Sequence, residues 1–286
     1  AGYYLKEHIT ESWDSETMPL LFFSGPLVNT QAPTSGRITV MSRSPLTGTV
    51  GDTSVGGKLG THLKKAGFDG IIITGKSDRY TGIEINDNTV EFTNAESLRG
   101  ALNSEVYKKV FNQGSIVSIG PAAENGVLFS SIVIDNHYMA GRNGLGLVMA
   151  EKKLKYITIK GSGSTRVYDK NELQKAREDI LRLTSASPIL LGEFGLANFG
   201  TAALFDLIHS RRMMPTDNFR KTRFDQAAKM NAWYFKQKYN TKKDGCRGCH
   251  ILCKKIGENK DIMPEFESLS HFSALIENTD AEAVVN

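Results

Sequence analysis

The sequence has few cysteines, little net charge and no long apolar run. Only three of its 286 residues are cysteine, and all lie between Cys246 and Cys253, so no structural disulfide is available. A formal net charge of +4 is too small to predict nucleic-acid binding. With no run of about 18 apolar residues, we expect no membrane span. Together these shortages predict a cytoplasmic protein with no nucleic-acid or membrane partner.

The rest of the composition is that of an ordinary globular protein, with 40% hydrophobic and 23% charged residues. A length of 286 residues predicts about two domains. Residues 1–8 lack the charged and then apolar layout of a signal peptide. Thr279 and Glu282 have the spacing of a helix capping box close to the last residue. We therefore expect the sequence to be part of a longer protein.

Residues 1–162 are predicted to form a β-rich domain, because short β-branched segments alternate there with Gly, Pro, Asn and Asp. Strands are expected at 20–23, 38–41, 71–74, 83–85, 116–119, 127–134 and 156–159. Two helices are expected within this domain, over 57–66 and from 144 to 153.

Residues 163–286 are predicted to form an α-helical domain, because apolar residues recur there with helical spacing. A helix is expected to start at Asp169, and others near 196–209, 222–240 and 265–277. The Gly- and Ser-rich segment 161–165 is typical of a linker. The predicted fold class is therefore α+β.

The three cysteines have the spacing C-x2-C-x3-C, with Cys246, Cys249 and Cys253 as candidate metal ligands. This spacing suits an iron–sulfur cluster, which usually takes four thiolates. Either the fourth ligand lies beyond Asn286, or one iron of the cluster has no protein ligand.

Three alternatives to an iron–sulfur cluster remain for these cysteines. Cys246 to His250 also spells C-x-x-C-H, the attachment motif of c-type haem, but that motif requires an exported protein and leaves Cys253 unexplained. Zinc with His250 as the fourth ligand would crowd four ligands onto two turns. The third alternative is three buried cysteines with no ligand.

Two glycine-rich segments precede the helices of the β-rich domain. In the first, Ser54, Gly56 and Gly57 lie where a loop is expected to enter a helix, and paired glycines let N–H groups approach an anion. A tight turn explains the same glycines. The second runs from Gly141 to Gly146; it is not a dinucleotide fingerprint, and no strand is expected to lead directly into it.

Two arginines accompany these glycine-rich segments and have a guanidinium geometry that suits phosphate. Arg142 lies in the second segment, and Arg37 follows its own Gly-containing loop. An arginine of this kind is also common as an ordinary surface residue. The two glycine-rich segments and the loop before Arg37 could each bind an anion. Three such loops in one domain nevertheless favour a phosphate-bearing ligand.

Near the cysteines, Glu267 and His271 lie four residues apart and share a helical face. They are a candidate acid/base pair or simply a solvated pair. Several lysines and arginines lie between 242 and 255, where positive charge would attract an acidic redox partner.

These residues together resemble the tungsten-containing aldehyde ferredoxin oxidoreductase family, in the family's order along almost the whole chain. From this resemblance we expect the first strands of the family, and the part that follows residue 286, to lie outside this sequence. The matching segments are Ala32-Pro-Thr-Ser-Gly-Arg37, Ser44-Pro-Leu-Thr-Gly48, Gly56-Gly57, Leu63 to Asp69, Ile119 to Asn125, Ala140-Gly-Arg-Asn-Gly-Leu-Gly146, the cysteine run and Pro264-Glu-Phe-Glu267.

The resemblance implies a tungsten or molybdenum bis-pterin cofactor on the β-rich domain, a [4Fe-4S] cluster on the cysteines, and magnesium as a further candidate. It implies that Glu267 lies near the metal, and His271, four residues further on, is the second candidate catalytic residue. Tyr138 stands where some relatives have a basic residue. The cofactor-binding residues that it implies are Arg37, Ser54, Gly56, Gly57, Met139, Ala140, Gly141 and Arg142.

The implied reaction is oxidation of an aldehyde to a carboxylic acid, with electrons leaving through the cluster to ferredoxin or another redox protein. A homodimer, or a complex with electron-transfer subunits, is the expected assembly. Two alternatives are a related metallopterin reductase acting on acyl-CoA or aromatic substrates, and a non-catalytic iron–sulfur module. The 286-residue chain alone is predicted to be inactive.

Overall fold

The computed structural model describes residues 1–111 and 113–285. The chain forms two compact units. The N-terminal unit comprises Ala1–Lys170 together with Cys246–Gly248, and the C-terminal unit comprises Asn171–Gly245 and the chain from Cys249 onward. The cysteine run is therefore divided between the units, although the sequence placed it wholly in the second domain. The domain boundary at residue 162 stays a prediction.

The N-terminal unit contains a four-stranded antiparallel sheet in the order β3-β2-β1-β4. Strand β2 alternates buried and half-buried residues, as expected of a sheet with one face on a core. Its strands are β1 (Leu20–Ser24), β2 (Ile38–Arg43), β3 (Val50–Val55) and β4 (Gly70–Ile73).

A second, six-stranded sheet has the order β6-β5-β10-β7-β8-β9. Its central strand β10 pairs in parallel with β5 and antiparallel with β7, and six of its seven residues are buried. The strands are β5 (Thr81–Asn86), β6 (Thr89–Asn94), β7 (Ser115–Ser118), β8 (Ile132–Ile134), β9 (Tyr138–Ala140) and β10 (Leu154–Lys160).

One apolar core joins residues of both sheets with the helices that cover them. Leu59 and Leu63, one turn apart on helix α2, are 1% and 0% exposed and belong to this core, as does Cys246 at its edge. The α-helices of the unit are α1 (Gly2–Leu5), α2 (Leu59–Lys65), α3 (Asn103–Val110), α4 (Pro121–Glu124) and α5 (Leu145–Glu151). Its 3-10 turns are Lys6–His8 and Glu96–Leu98.

The structure corrects four expectations in this unit. The strand expected over 127–134 is reduced to Ile132–Ile134, because residues 127–130 close a turn in which Ser130 N donates to Val127 O. Ser54 lies in strand β3 rather than in a loop. Strand β9 leads directly into Gly141, contrary to expectation. Helices α2 and α5 are only seven residues long, and they start at Leu59 and Leu145.

The C-terminal unit is mainly helical, with a short hairpin of β11 (Lys242–Asp244) and β12 (Lys254–Ile256). Its own core contains Phe205, Met214, Met230 and Leu269, each 0% exposed. Helix α6 (Lys170–Ser185) crosses the division between the units. The other α-helices are α7 (Pro188–Leu191), α8 (Leu196–Phe199), α9 (Leu204–Ser210), α10 (Ala232–Tyr239), α11 (Phe266–Phe272) and α12 (Ala281–Val285), with 3-10 turns at Gly200–Ala203, Ala227–Lys229 and Ala274–Ile276.

The long helices expected in this unit are shorter than predicted. The segment 222–240 is helical only at Ala227–Lys229 and Ala232–Tyr239, because Asn231 caps a new helix by accepting from Tyr234 N. The segment 265–277 is divided at Ser273. Asp280, rather than Thr279, accepts from the backbone N–H groups of Glu282 and Ala283.

One segment among the described residues, Pro188–Ser210, is long and apolar enough to cross a membrane. A single segment of this kind is weak evidence for a membrane span, because the core helix of a soluble protein can have the same length and apolar composition. Here it is divided into three short α-helices and a 3-10 turn. The absence of a membrane partner stays a prediction.

A buried ion pair in the N-terminal unit gives a stability prediction. Lys155 and Glu124 pair with side chains that are 0% and 6% exposed. Lys155→Met leaves an unpaired buried carboxylate and should cost about 3–5 kcal/mol of unfolding free energy, measured by urea denaturation. The control Lys64→Met, which removes the pair to the exposed Asp69, should cost less than about 1 kcal/mol. Equal losses of unfolding free energy in the two variants would contradict the assignment of Lys155 and Glu124 as a buried ion pair.

Candidate functional site

Arg37 and Ser54 meet across the β2–β3 pair. Thr39 lies opposite Ser54 in this pair, which places Arg37, just before β2, beside the end of β3. The Arg37 Nε donates to Ser54 Oγ over 2.9 Å, and its Nη2 donates to the Ser54 backbone carbonyl. Both residues are exposed. The structure thus unites two sequence-predicted residues at the surface of one sheet.

The Gly56–Gly57 turn encloses the sulfur of Cys246. A Cβ on Gly56 would lie 2.6 Å from Cys246 Sγ and 3.2 Å from the ring of Tyr138. Gly57 has a φ of +107°, and its N–H donates to Cys246 Sγ over an N···S distance of 3.4 Å. Neither position tolerates a side chain without displacing its neighbours.

Asp135 fixes this turn from the other side. Its Oδ2 accepts from Lys58 N at 2.7 Å, and its Oδ1 accepts from Ser115 Oγ at 2.6 Å and Ile116 N at 3.1 Å. Sequence reasoning missed Asp135. The available signal was the Asp135-Asn136 pair after a β-branched segment, a composition typical of turns with positive φ, which both residues adopt.

Hydrogen bonds join the second glycine-rich segment, Gly141 to Gly146, to strand β3. Thr53 Oγ1 donates to Gly141 O at 3.0 Å, and Asn143 Nδ2 donates to Asp52 O at 2.7 Å. Of the neighbouring predicted residues, Met139 is 66% exposed and Ala140 is 0% exposed. The residues predicted to bind a cofactor therefore flank strand β3 within one unit.

Basic side chains, rather than helix ends, supply the positive charge near these loops. Helices α2 and α5 are too short to provide the anion site expected at their N-termini, whereas Arg37, Lys58 and Arg142 are exposed. The pKa of His62 is lowered by burial and also by the neighbouring charges of Lys65, Arg247 and Lys58, although Asp135 opposes this. The region is electropositive and suits phosphate.

The other two cysteines lie in the C-terminal unit, and one of them, Cys253, is close to a buried lysine. Lys255 is 6% exposed and donates to Leu252 O at 2.7 Å, and burial lowers its pKa to about 8 against the opposing charge of Cys253. His250 Nε2 contacts Thr184 Oγ1 at 2.7 Å. This ring nitrogen therefore has a hydroxyl partner, whereas His250 Nδ1 is buried with no hydrogen-bond partner among the described residues, so the zinc alternative stays open.

None of the three cysteines forms a disulfide, and all are half-buried, which disagrees with the alternative of three buried thiols. Over residues 1–111 and 113–285, no group of three or more His, Cys, Asp or Glu gathers at metal-binding distance. The donor chemistry nevertheless fits iron, because thiolate is a soft ligand and the Gly56–Gly57 turn already holds one thiol with an N–H donor. The residues fit an iron–sulfur cluster and a phosphate-bearing cofactor.

Glu267 and His271 share one face of helix α11, as predicted. The His271 Nδ1–H donates to the backbone carbonyl of Glu267 at 2.8 Å, and both residues are exposed. This bond leaves the other ring nitrogen, Nε2, as the basic one. Their catalytic role stays a prediction.

Comparison with known proteins supports the resemblance across both units. Residues 1–161 match the model of the aldehyde ferredoxin oxidoreductase N-terminal domain, and residues 175–286 match that of domains 2 and 3 of the same family. The chain belongs to the aldehyde ferredoxin oxidoreductase family. The expected α+β fold class, β-rich and then helical, is confirmed as well.

Several members of the family are similar to this chain. Tungsten-containing aldehyde ferredoxin oxidoreductases are 35% identical in Pyrococcus horikoshii and 36% identical in Thermococcus kodakarensis, over 93% of this chain and 45% of each relative. A WOR-like subunit of an aliphatic sulfonate oxidoreductase from Pyrococcus furiosus is 27% identical over 89% of this chain and 43% of that protein. The chain spans less than half the length of these enzymes.

A solved structure shares the fold. It is the active-site complex BamBC of benzoyl coenzyme A reductase in complex with 1,5-dienoyl-CoA, with a TM-score of 0.75 and 25% identity. The match covers 92% of this chain and 44% of that chain. The fold of this aldehyde ferredoxin oxidoreductase family member therefore also occurs in a protein whose named substrate class is different.

The close approach of Gly56 to Cys246 gives a second prediction. Gly56→Ala should displace the thiol, cost about 1–3 kcal/mol of unfolding free energy and change the rate at which Ellman's reagent modifies Cys246. The rate is measured with Cys249 and Cys253 both replaced by serine. The matched control Gly25→Ala, whose Cβ would lie 3.9 Å from Val28, should change neither quantity. An unaltered rate of Cys246 modification in Gly56→Ala would contradict the close packing of Gly56 against the Cys246 sulfur.

Proposed function

We propose that this chain is part of a tungsten- or molybdenum-containing bis-pterin oxidoreductase that oxidises aldehydes to carboxylic acids. The electrons would pass through a [4Fe-4S] cluster to ferredoxin. The observation that supports this proposal most is the contact of Cys246, a cluster ligand in the resemblance, with the glycine turn of the predicted pterin-binding loops. The two cofactors would then share one small region of protein.

In this proposal each group of side chains has a separate task. Arg37 and Arg142 bind cofactor phosphates by charge-assisted hydrogen bonds, and the Gly56–Gly57 turn lets the cofactor approach the backbone. The metallopterin supplies the two-electron chemistry by which an aldehyde and water become a carboxylic acid, two protons and two electrons. Cys246, Cys249 and Cys253 hold the cluster through which the electrons leave singly.

Glu267 and His271 are the proposed catalytic residues. Because the Nδ1–H of His271 is engaged by Glu267 O, its Nε2 is available to accept a proton. The Glu267 carboxylate on the same helix serves as a general base or orients the substrate. Both side chains are exposed, so an approaching substrate can reach them.

A second candidate function is reduction of an acyl-CoA or aromatic substrate by the same kind of metallopterin. It is favoured by the fold shared with a benzoyl coenzyme A reductase complex. A non-catalytic iron–sulfur module is the third candidate. Such a module does not require the electropositive loops that flank strand β3. Cytoplasmic location, magnesium at the cofactor phosphates, and assembly as a homodimer or with electron-transfer subunits complete the proposal.

Metal content and turnover test this function directly. The full-length protein, purified without oxygen, should contain about four irons together with tungsten or molybdenum. It should reduce a viologen dye with aldehydes, whereas turnover with acyl-CoA substrates alone would favour the second candidate. Absence of iron, tungsten and molybdenum would contradict all the enzyme functions, and the 286-residue chain alone should be inactive.

Replacement of a residue that binds cofactor phosphate should lower the content of the metallopterin and leave that of the iron–sulfur cluster unchanged. Arg37→Gln is expected to lower the tungsten or molybdenum content at least tenfold, because a charge-assisted contact is lost, while the iron content stays unchanged. The matched control Arg182→Gln, on the exposed surface of helix α6, should retain both metals. Parallel loss of iron and the heavier metal in Arg37→Gln would contradict a separate phosphate role. Elemental analysis of the purified variants measures both contents.

A further inference from the structure

One cavity in the N-terminal unit shares no residue with the loops around Cys246. Its volume is about 650 Å³, a size typical of small-molecule sites. The segment between β4 and β5, the end of β6 and the residues that follow α5 form its walls. The lining residues on which the argument depends are Lys152, Arg79, Lys153, Asp78, Ile83 and Phe92.

Lys152 is a buried cation that lines this cavity without an ion pair. Its side chain belongs to a residue that is only 6% exposed, and its Nζ donates to Glu16 O at 3.2 Å and Gly75 O at 3.3 Å. An ammonium has three N–H donors, so one remains after these two carbonyls. In the described part of the chain no carboxylate lies within salt-bridge distance of Nζ. Glu16 and Glu11 act on Lys152 from beyond that distance, and burial lowers the pKa of Lys152 against their opposing charges. An anion bound in the cavity would compensate the buried charge further.

Other cations surround the same space. The Arg79 guanidinium is exposed and, within residues 1–111 and 113–285, forms no hydrogen bond or ion pair. Lys153 Nζ donates to the backbone carbonyl of Asp78 at 2.8 Å. The Asp78 carboxylate is the acidic group of the lining, so the cations outnumber it. The lining therefore suits a ligand with more than one negative charge.

An exposed aromatic ring lies on one wall. Phe92 on strand β6 is 74% exposed and lies opposite Ile83 on β5, so both side chains project from the same face of the sheet. Ile83 is 8% exposed and lines the cavity as well. A flat apolar surface beside a set of cations matches a ligand that carries both an aromatic ring and phosphate.

We infer that this cavity binds a nucleoside diphosphate, with its phosphates on Lys152 and Arg79 and its base on Phe92. This site is additional to the proposed metallopterin site and does not depend on it. It requires only the N-terminal unit, in which all of its lining residues lie.

Isothermal titration of the full-length protein with ADP, pyrophosphate and adenosine tests the inference. ADP should bind saturably and more tightly than either fragment. Lys152→Met and Arg79→Gln should each weaken ADP binding at least tenfold, whereas Phe92→Ser should weaken ADP binding and leave pyrophosphate binding unchanged. The matched controls Lys108→Gln and Phe129→Ser, both exposed and outside the cavity lining, should bind ADP as the unmodified protein does.

Three outcomes would overturn the inference. They are no saturable binding of ADP, unchanged ADP binding in Arg79→Gln and Phe92→Ser, and pyrophosphate binding as tight as that of ADP. Because Arg79 and Phe92 are exposed, their variants test the site even when Lys152→Met does not fold. Metal content and dye-linked turnover are read separately, so failure of this site is distinguishable from failure of the proposed oxidoreductase.

Discussion

The Gly56–Gly57 turn has to accommodate the sulfur of Cys246, and much of the candidate site depends on that constraint. A single added methyl at Gly56 would lie 2.6 Å from Sγ, far inside van der Waals contact. The thiol in turn accepts the Gly57 N–H, so the backbone of a predicted pterin-binding loop touches a predicted cluster ligand. Hydrogen bonds to cysteine sulfur are among the features that set the potential of an iron–sulfur cluster.

Polar contacts hold the loops around this turn in place. Asp135 binds the backbone of Lys58 and Ile116, and the Thr53 and Asn143 side chains join strand β3 to the segment that begins at Gly141. These bonds leave the Arg142 side chain exposed to solvent. The loops are thus preorganised by neutral groups and by one carboxylate, while cations remain at the surface for an anionic ligand.

The sequence predicted the buried strands well, because residues such as Ile157 and Ile134 lie in runs of β-branched residues that only a buried strand accommodates. It missed the edge strand Thr89–Asn94, in which Val90 and Phe92 alternate with polar residues but five of the six residues are exposed. Strand β3 was missed as well, since Gly51, Asp52 and Ser54 have low strand propensity and are held by pairing with β2.

For the candidate site, composition and spacing predicted Arg37, the glycines and the cysteines, and the structure places Arg37 beside Ser54 and Gly56 beside Cys246. They did not reveal Asp135, whose role comes from bonds to residues distant in the chain. Nor did they predict that Cys246 would belong to the N-terminal unit while Cys249 and Cys253 belong to the other. Such tertiary contacts have no local sequence signal.

Electron paramagnetic resonance of the oxygen-free, dithionite-reduced full-length protein tests most directly whether Cys246 joins the glycine turn to a cluster. The account predicts an iron–sulfur signal in the unmodified protein that is lost or altered in shape in Cys246→Ser. A silent spectrum from the unmodified protein, or an identical spectrum from Cys246→Ser, would contradict it.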